Sequence, residues 1–590
     1  MDTYALDYET YYDKTCSIRT LGPLGYFSHP DFDAYMVSVV GTDGTSFVGA
    51  PKDFNWGLLN DNVVLSHNAS FDETLYLYGI TQSWWPEIFP AAWHCTADMV
   101  AYIRLPRSLK GATHEAFGLT VDKTTRNNMS GKQWSNMSEE FRKEVSDYAL
   151  MDSKLCLDLW DNYNKSWPDC EKTISVLNRR ILQRGLPIDT ELLQTQLEVI
   201  NGKLFEAEEA IPWLGNKPLL SRVAFDDQCR TVGIEPPASL AATDVDAQKW
   251  IDYYGKKYKW IDAVRNWRRI NALKKKIESF DVATMPDNRY YGGIMYFGAH
   301  TGRFSGSGGN LNLQNLPREE MFGVNLRNLI APQPDKQIIV ADLSQIEVRT
   351  LCWLAEDQTM LKEIEESGDI YEAFAIRFGQ WEKSNGSLKQ DPKLRHKIKT
   401  MVLGCGYGAG KNRFAEMSGM SKPDADAAVD IYRNSMKSVT KLWKTYNSGV
   451  HGAYSLSVNG YLTPFIVNLP SGRTLDYGLI RTDGKGNQRR YVAKLMRHGK
   501  KVLTKLWGGF ITENASQALA RDIFSDMLVR IDGAGYKIVL HVHDEVVIEV
   551  DTHQAEETLQ NVLQIMSCPP TWIPDIPLAA EGSILSRYTK

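Results

Sequence analysis

No apolar run in the 590-residue chain approaches the roughly 18 residues that would cross a bilayer, so no membrane span is expected. C-x-x-C pairs are missing as well. The eight cysteines are scattered, which suits free thiols in a reducing compartment and offers no disulfide framework. Global basicity is absent: the net charge is −5, so any surface for a polyanion has to be local. The opening MDTYALDYET lacks a basic-then-apolar leader, and a cytoplasmic location is expected rather than secretion. Internal repeats and low-complexity tracts are also lacking. What remains is a composition of 43% hydrophobic and 24% charged residues, that of a globular protein. The length suggests about three or four domains.

Acids inside β-rich runs are the first positive signal. In HVHDEVVIEV (541–550) an Asp544-Glu545 pair interrupts valine and isoleucine, and Tyr536 to Leu540 before it is also strand-like. This predicts two short strands with His543-Asp544 at the tight turn. Asp is an ordinary turn residue, so a second carboxylate mounted the same way is needed. Asp342 supplies it. It ends the strand-like run Gln337 to Ala341 and precedes a segment with Ile346, Leu351 and Leu354 at helical spacing. Two aspartates at strand ends facing one cleft could hold two Mg2+ ions, the minimum apparatus for nucleotidyl transfer. In RHKIKTMVLGCGYGAG, Arg395, Lys399, Leu403 and Tyr407 step by four, which predicts one helix face. The two cations would clamp phosphate oxygens, Leu403 would underlie the sugar or base, and Tyr407 would stack near the nascent pair. GCGYGAGKN is no phosphate loop, because Cys405 and Asn412 stand where that motif needs glycine and Ser/Thr. His541 and His543 have no third zinc ligand at matching spacing.

The first 165 or so residues read as alternating strands and helices: strands near Tyr4–Glu9, 35–41 and 62–66, helices near 71–78 and 138–160. Asp7 and Glu9 are two apart on one strand face; Asn68 and Asp72, and Tyr148 and Asp152, are each four apart. Carboxylates gathered from separate elements repel one another unless divalent cations neutralise them. A cation pair about 4 Å apart can hold a water nucleophile and a leaving phosphodiester oxygen. From about 170 to 290 the chain is helical and charged. Lys256, Lys257, Lys259, Arg265, Arg268, Arg269 and Lys274 to Lys276 form a run, interleaved with aromatics, that reads as a phosphate-tracking surface without balancing acids.

ADLSQIEVR, R-x3-K-x7-Y-G and HVHDE resemble motifs A, B and C of the family A DNA polymerases, and the three N-terminal acidic motifs resemble DEDD-type 3′–5′ proofreading exonucleases with tyrosine in the last motif. The resemblance implies an α/β and α+β multidomain protein. An RNase H-like exonuclease domain (1–165) would precede a right-hand polymerase: thumb at 170–290, palm at 291–360 and 451–590, fingers at 361–450. It implies metal ligation by Asp7, Glu9, Asp72 and Asp152, with Tyr148 orienting the water, and by Asp342 and Asp544, with Glu545 beside them. Gln345, Glu347, Arg395, Lys399, Leu403, Tyr407 and His543 would meet the nucleotide, Glu347 filling the space of a 2′-hydroxyl. HTGRFSGSGGNLNLQNLP resembles the minor-groove segment, assigning Arg303, Asn312, Gln314 and Asn315 to DNA; NLRNLIAP and ENASQALARD add Arg327 and Gln517. Mg2+, two per site and replaceable by Mn2+, primer-template DNA and deoxynucleoside triphosphates are the implied cofactor and partners of an expected monomer. A helicase or processivity factor is left open. LPSGRTLDYG and TENASQALARD resemble phage-encoded versions, which would place the protein in a host cytoplasm. Two positions depart from the pattern: Leu403 replaces an aromatic residue, and Glu513 replaces asparagine. The alternatives are a single-subunit RNA polymerase, disfavoured by Glu347, and a nuclease or DNA-binding protein with an inactive polymerase half, disfavoured by intact Asp342, Asp544, Arg395 and Lys399.

Overall fold

The computed structural model describes residues 1–120, 124–306, 311–460, 463–484, 490–497 and 500–589. Residues 307–310 of the expected minor-groove segment lie outside them. The N-terminal sheet is built from β1 (Thr3–Glu9), β2 (Met36–Gly41), β3 (Ser46–Gly49), β4 (Val63–Ser66) and β5 (Ala92–Cys95), in the order β3-β2-β1-β4-β5. β1 pairs antiparallel with β2 and parallel with β4. The central strand is therefore covered on both sides, and its apolar residues Tyr4, Ala5, Leu6 and Tyr8 are buried. Three helices matter here: α1 (Ala69–Thr81), α2 (Leu109–Phe117) and α4 (Glu139–Tyr163), with the short α3 (Thr124–Met129) between the last two. Ser138 caps α4 by accepting from the Phe141 amide. α4 lies on the sheet, where the Ser38 hydroxyl donates to the Ala149 carbonyl at 2.8 Å.

α5 (Asp169–Arg184) ties this unit to the rest. Its Glu171 and the neighbouring Asp522 flank the buried Arg521 guanidinium, which also sits 5.5 to 5.7 Å from the rings of Tyr296, Phe297 and Phe304. Breaking such a buried pair leaves an uncompensated charge and costs about 3–5 kcal/mol. Two long helices follow, α6 (Thr190–Glu209) and α7 (Lys259–Ala283), packed on each other.

The second half is organised on β6 (Lys336–Leu343), whose residues Ile338 to Ala341 are fully buried. Then come α8 (Ile346–Leu354), α9 (Pro392–Cys405) and α10 (Lys437–Val458). A small sheet β7 (Arg481–Asp483), β8 (Arg490–Arg497) and β9 (Lys500–Lys505) leads into the almost wholly buried α11 (Gly508–Gly533). β10 (Ile538–Val542), β11 (Glu545–Asp551), α12 (Ala555–Ser567) and β12 (Ala580–Leu585) complete the chain. The central sheet has the order β10-β11-β6-β12, each pair antiparallel. Among the described residues no helix is long and apolar enough to cross a membrane.

Candidate active sites

In the central sheet Asp342 at the end of β6 lies opposite Glu545, and the Leu343 amide donates to the Asp544 carbonyl at 3.1 Å. That bond holds the β10–β11 turn against the end of β6 and brings the two aspartates together. Two non-glycine residues here have left-handed backbone, Gln345 (φ 45°) and His543 (φ 57°), each close in sequence to one of the aspartates. Such torsions cost on the order of 1–3 kcal/mol each and recur where chemistry needs a fixed turn. Burial pushes the Asp544 carboxyl from 3.8 up to about 6; its own amide and Arg303 oppose the shift, and the charges of Asp342 and Glu347 add to it. Arg303, Gln314, His543 and Asp544 line one small cavity.

Glu347, on the first turn of α8, is held from two sides. Arg303 forms an ion pair with it, and the Tyr407 hydroxyl donates to its Oε2 at 3.3 Å. Arg395 projects from α9 and is half spent on protein: its Nε donates to Asp369 at 3.0 Å and its guanidinium lies 5.0 Å over the Tyr371 ring. Lys399 is exposed and Leu403 is 47% exposed. Tyr407 departs from the expected single helix face. α9 ends at Cys405, because the glycine-rich GCGYGAG stretch breaks it: Gly406 caps the helix and Gly408 turns left-handed at φ 80°. Tyr407 reaches the site from that turn instead, within 3.4 Å of Ser516.

The expected DNA-facing residues divide. Asn315 is exposed, Gln314 is buried against the cavity with Asp544, and Asn312 caps a helical turn by accepting from the Gln314 amide. Gln517 donates to Glu513 at 3.3 Å. Arg327 lies deeper than the other expected DNA-facing residues. It is buried at 5% exposure, donating to the Leu316 carbonyl and to the Tyr588 hydroxyl, whose own proton goes to Glu545 at 2.5 Å. Through Tyr588, Arg327 thus supports Glu545. The basic run is also less bare than expected, since Arg265 pairs with Asp252 and Asp262, and Lys274 with Glu278. A helix brings acids three or four residues away alongside, and a tertiary contact brings Asp252, neither of which linear reading weighs.

The N-terminal site is a cavity of about 630 Å3 whose walls include Asp7, Glu9, Asp72, Tyr148 and Asp152. β1 delivers the first two on one face, α1 delivers Asp72, and α4 delivers Tyr148 and Asp152. Asn68, the residue before α1 at φ 127°, is exposed on the same rim. The Tyr8 amide donates to Asp72 at 3.3 Å and ties α1 to β1. Burial, then the charges of Glu9, Asp72 and Asp152, raise the Asp7 carboxyl well above its ordinary value. Burial likewise lifts Glu9 from 4.5 to about 8 and Asp72 from 3.8 to about 7. Arg126 of α3 opposes this for Asp7 and Glu9. No motif spacing marks that lone arginine, so sequence reasoning missed it; Ser516 and Tyr588 were missed for the same reason.

Among the described residues, no three His, Cys, Asp or Glu side chains converge tightly enough to enclose an ion as they stand. The N-terminal set is nonetheless acidic and all-oxygen in one cavity, chemistry that fits a hard divalent cation. A stability consequence follows. A carboxyl with a higher pKa folded than unfolded keeps its extra proton only below the folded value, so stability falls as pH rises through that window. For Glu9 and Asp72 the window runs from about 4 to about 8. In chelator the N-terminal unit should lose on the order of a few kcal/mol of stability across that range. Mg2+ should restore it at the alkaline end. Thermal melts of wild type and of Asp7→Asn with Glu9→Gln check this: the variant should show a flatter pH profile and little response to Mg2+.

Comparisons with known proteins bear on the second half first. Residues 215–454 match the family model for DNA polymerase family A. Over that segment, 240 of the 590 residues, the chain is similar to the family A DNA polymerases. The matched segment holds Asp342, Glu347, Arg395, Lys399, Leu403 and Tyr407, but neither Asp544 nor the N-terminal carboxylates. The DNA polymerase of Bacillus phage SP02 is 25% identical over the whole length of both chains. The thermostable DNA polymerases I of Thermus filiformis and Thermus aquaticus are 23% and 21% identical over 75% and 72% of this chain. The chain spans about half the length of those two relatives, 51% and 49%. A solved structure of the POL domain of Pol1 from M. smegmatis, in complex with DNA primer-template and dNTP, has the same fold: TM-score 0.69, 18% identity, covering 100% of this chain and 95% of that one.

Proposed function

We infer that the chain is a family A DNA polymerase that extends a primer 3′ end at the central-sheet site and proofreads by 3′–5′ hydrolysis in the N-terminal cavity, in the service of phage replication. The observation that carries the first part is the meeting of Asp342 and Asp544 at adjoining strand ends under the Leu343–Asp544 hydrogen bond. The convergence of Asp7, Glu9, Asp72, Tyr148 and Asp152 on one cavity supports the second.

Asp342 and Asp544 would hold one Mg2+ pair, and Asp7, Glu9, Asp72 and Asp152 another. Bound there, the cations supply activation of a hydroxyl or water and neutralisation of the leaving oxygen. Arg395 and Lys399 then bind the triphosphate, with Asp369 and Tyr371 setting the direction of Arg395. Glu545 stands beside Asp544, oriented by Tyr588. Tyr148, hydrogen-bonded to Asp152, orients the attacking water at the other site. In this reading 1–165 is an RNase H-like exonuclease domain, 170–290 the thumb, 291–360 with 451–590 the palm, and 361–450 the fingers. The test is extension of a labelled primer on a defined template with and without Mg2+; elongation dependent on the cation and on the templated nucleotide is expected, and no extension would refute the reading.

Two consequences concern nucleotide choice. Glu347 is pinned by Arg303 and Tyr407, so its carboxylate is a fixed obstacle beside the sugar. Glu347→Ala should raise ribonucleotide use relative to deoxynucleotide use, whereas Glu347→Gln, which keeps the volume, should change that ratio little. Competitive incorporation measures both, and equal ratios in wild type and Glu347→Ala would assign the gate elsewhere. Leu403, between Lys399 and Tyr407, offers methyl groups where a tyrosine would offer a hydroxyl near the 3′ carbon. One such hydrogen bond is worth roughly 1–3 kcal/mol, about ten- to a hundredfold in preference. Wild type should therefore reject dideoxynucleotides and Leu403→Tyr should accept them better, read by chain termination in an Asp7→Ala, Glu9→Ala background.

A further inference from the structure

The sheet β7–β9 is not part of either site, yet one of its faces is strongly cationic. Arg481, Arg490, Lys494, Lys501 and Lys505 are all exposed. Strand register puts them on one side: Val492 lies between Arg481 and Lys505, Lys494 opposite Leu503, and Lys501 opposite Met496. Asp483, on the same face, pairs with Arg490 at 2.7 Å. Among the described residues Arg481, Lys494 and Lys505 make no ion pair. The other face is structural: Ala493 and Leu495 join the core with Ile511 and Ala515 of α11, and Tyr491 packs 5.3 Å from Tyr454 of α10.

Two contacts fix where this face points. Lys501 pairs with Glu115 of α2, and the first residues of α2, Leu109 and Lys110, line the four-carboxylate cavity. Arg104 also donates at 3.0 Å to the Thr474 carbonyl, in the strand Thr474–Asp476 just ahead of the sheet. The cationic face thus meets the C-terminal half of α2, about 9 Å along that helix from the residues that line the N-terminal cavity. Lys501 and Lys505 are about 13 Å apart along β9, with Lys494 across from the midpoint, so the array is a narrow track rather than a broad patch. At its centre Leu503 is 53% exposed, an apolar rest for the face of an unpaired base amid groups suited to phosphates.

We propose that the outer face of β7–β9 binds single-stranded DNA and guides the unpaired primer 3′ end to the N-terminal cavity. The guiding role rests on the hydrolysis assigned to that cavity above; the binding itself does not. The test uses the full chain with Arg481, Lys494 and Lys505 all replaced by Gln, and a second triple with Glu to separate charge from misfolding. A labelled oligothymidylate of about twelve nucleotides, in chelator, is the binding probe. The expected results for both triples are an affinity loss of at least about tenfold and, for Gln, a salt slope shallower by about two, from three lost phosphate contacts. Removal of a mismatched primer terminus should fall about tenfold or more, while extension of a matched primer stays within about twofold. Unchanged oligothymidylate affinity and slope would overturn the proposal, as would an equal loss of duplex affinity, which would make the face a duplex contact. Asp7→Ala with Glu9→Ala keeps the two ideas apart. If that variant still removes the mismatch, the hydrolytic assignment fails while the binding claim stands on the affinity measurement alone.

Discussion

Asp544→Ala should lower primer extension by at least about a thousandfold and leave degradation of single-stranded DNA close to wild type. The residue sits at the tip of the β10–β11 turn, held to the end of β6 by a backbone bond that the substitution does not touch. The loss is therefore one of charge and ligand, not of architecture. A thousandfold is about 4 kcal/mol of transition-state stabilisation, a modest demand for a carboxylate that organises the reacting centre. Asp342→Ala should behave alike. Near-normal extension by either variant would mean that the chemistry happens elsewhere.

The reverse experiment is Asp7→Ala with Glu9→Ala. It should remove 3′–5′ degradation by a comparable factor while extension persists. Both side chains are half-buried in one acidic cavity, on a strand separate from the central sheet, so no common element carries the damage across. The same substitution removes two mutually repelling groups, so the variant should melt higher than wild type in chelator at alkaline pH. A variant that loses degradation and also melts lower would indicate damage to the fold, not to the site.

How far these sites could be read in advance differs by residue. Asp342 and Asp544 were legible because a polar residue at the end of an all-apolar strand run has few explanations, and the register confirms that both runs are neighbours in one sheet. Asp7 and Glu9 were legible through strand alternation, and Tyr148 with Asp152 through helical spacing. Tyr407 was not: stepping by four assumed that α9 continues, whereas glycine conformational freedom stops it at Cys405. Arg327 was assigned to DNA through the resemblance of NLRNLIAP, and its bond to the Tyr588 hydroxyl, 261 residues away in sequence, was beyond linear reading. The basic sheet escaped notice for a related reason. Its cations alternate with apolar residues along the strands, and only the pairing of β7, β8 and β9 collects them on one face.

The most direct measurement of two independent centres on one chain is the conversion of a deoxynucleoside triphosphate to its monophosphate on a primer-template, given Mg2+ and only the next templated nucleotide. Each turn of that cycle needs one addition at Asp342 and Asp544 and one removal in the cavity of Asp7 and Glu9. With the label in the supplied triphosphate, the account predicts steady release of labelled monophosphate by wild type and none by Asp544→Ala or by Asp7→Ala with Glu9→Ala. Absence of release by wild type, or its persistence in either variant, would contradict it.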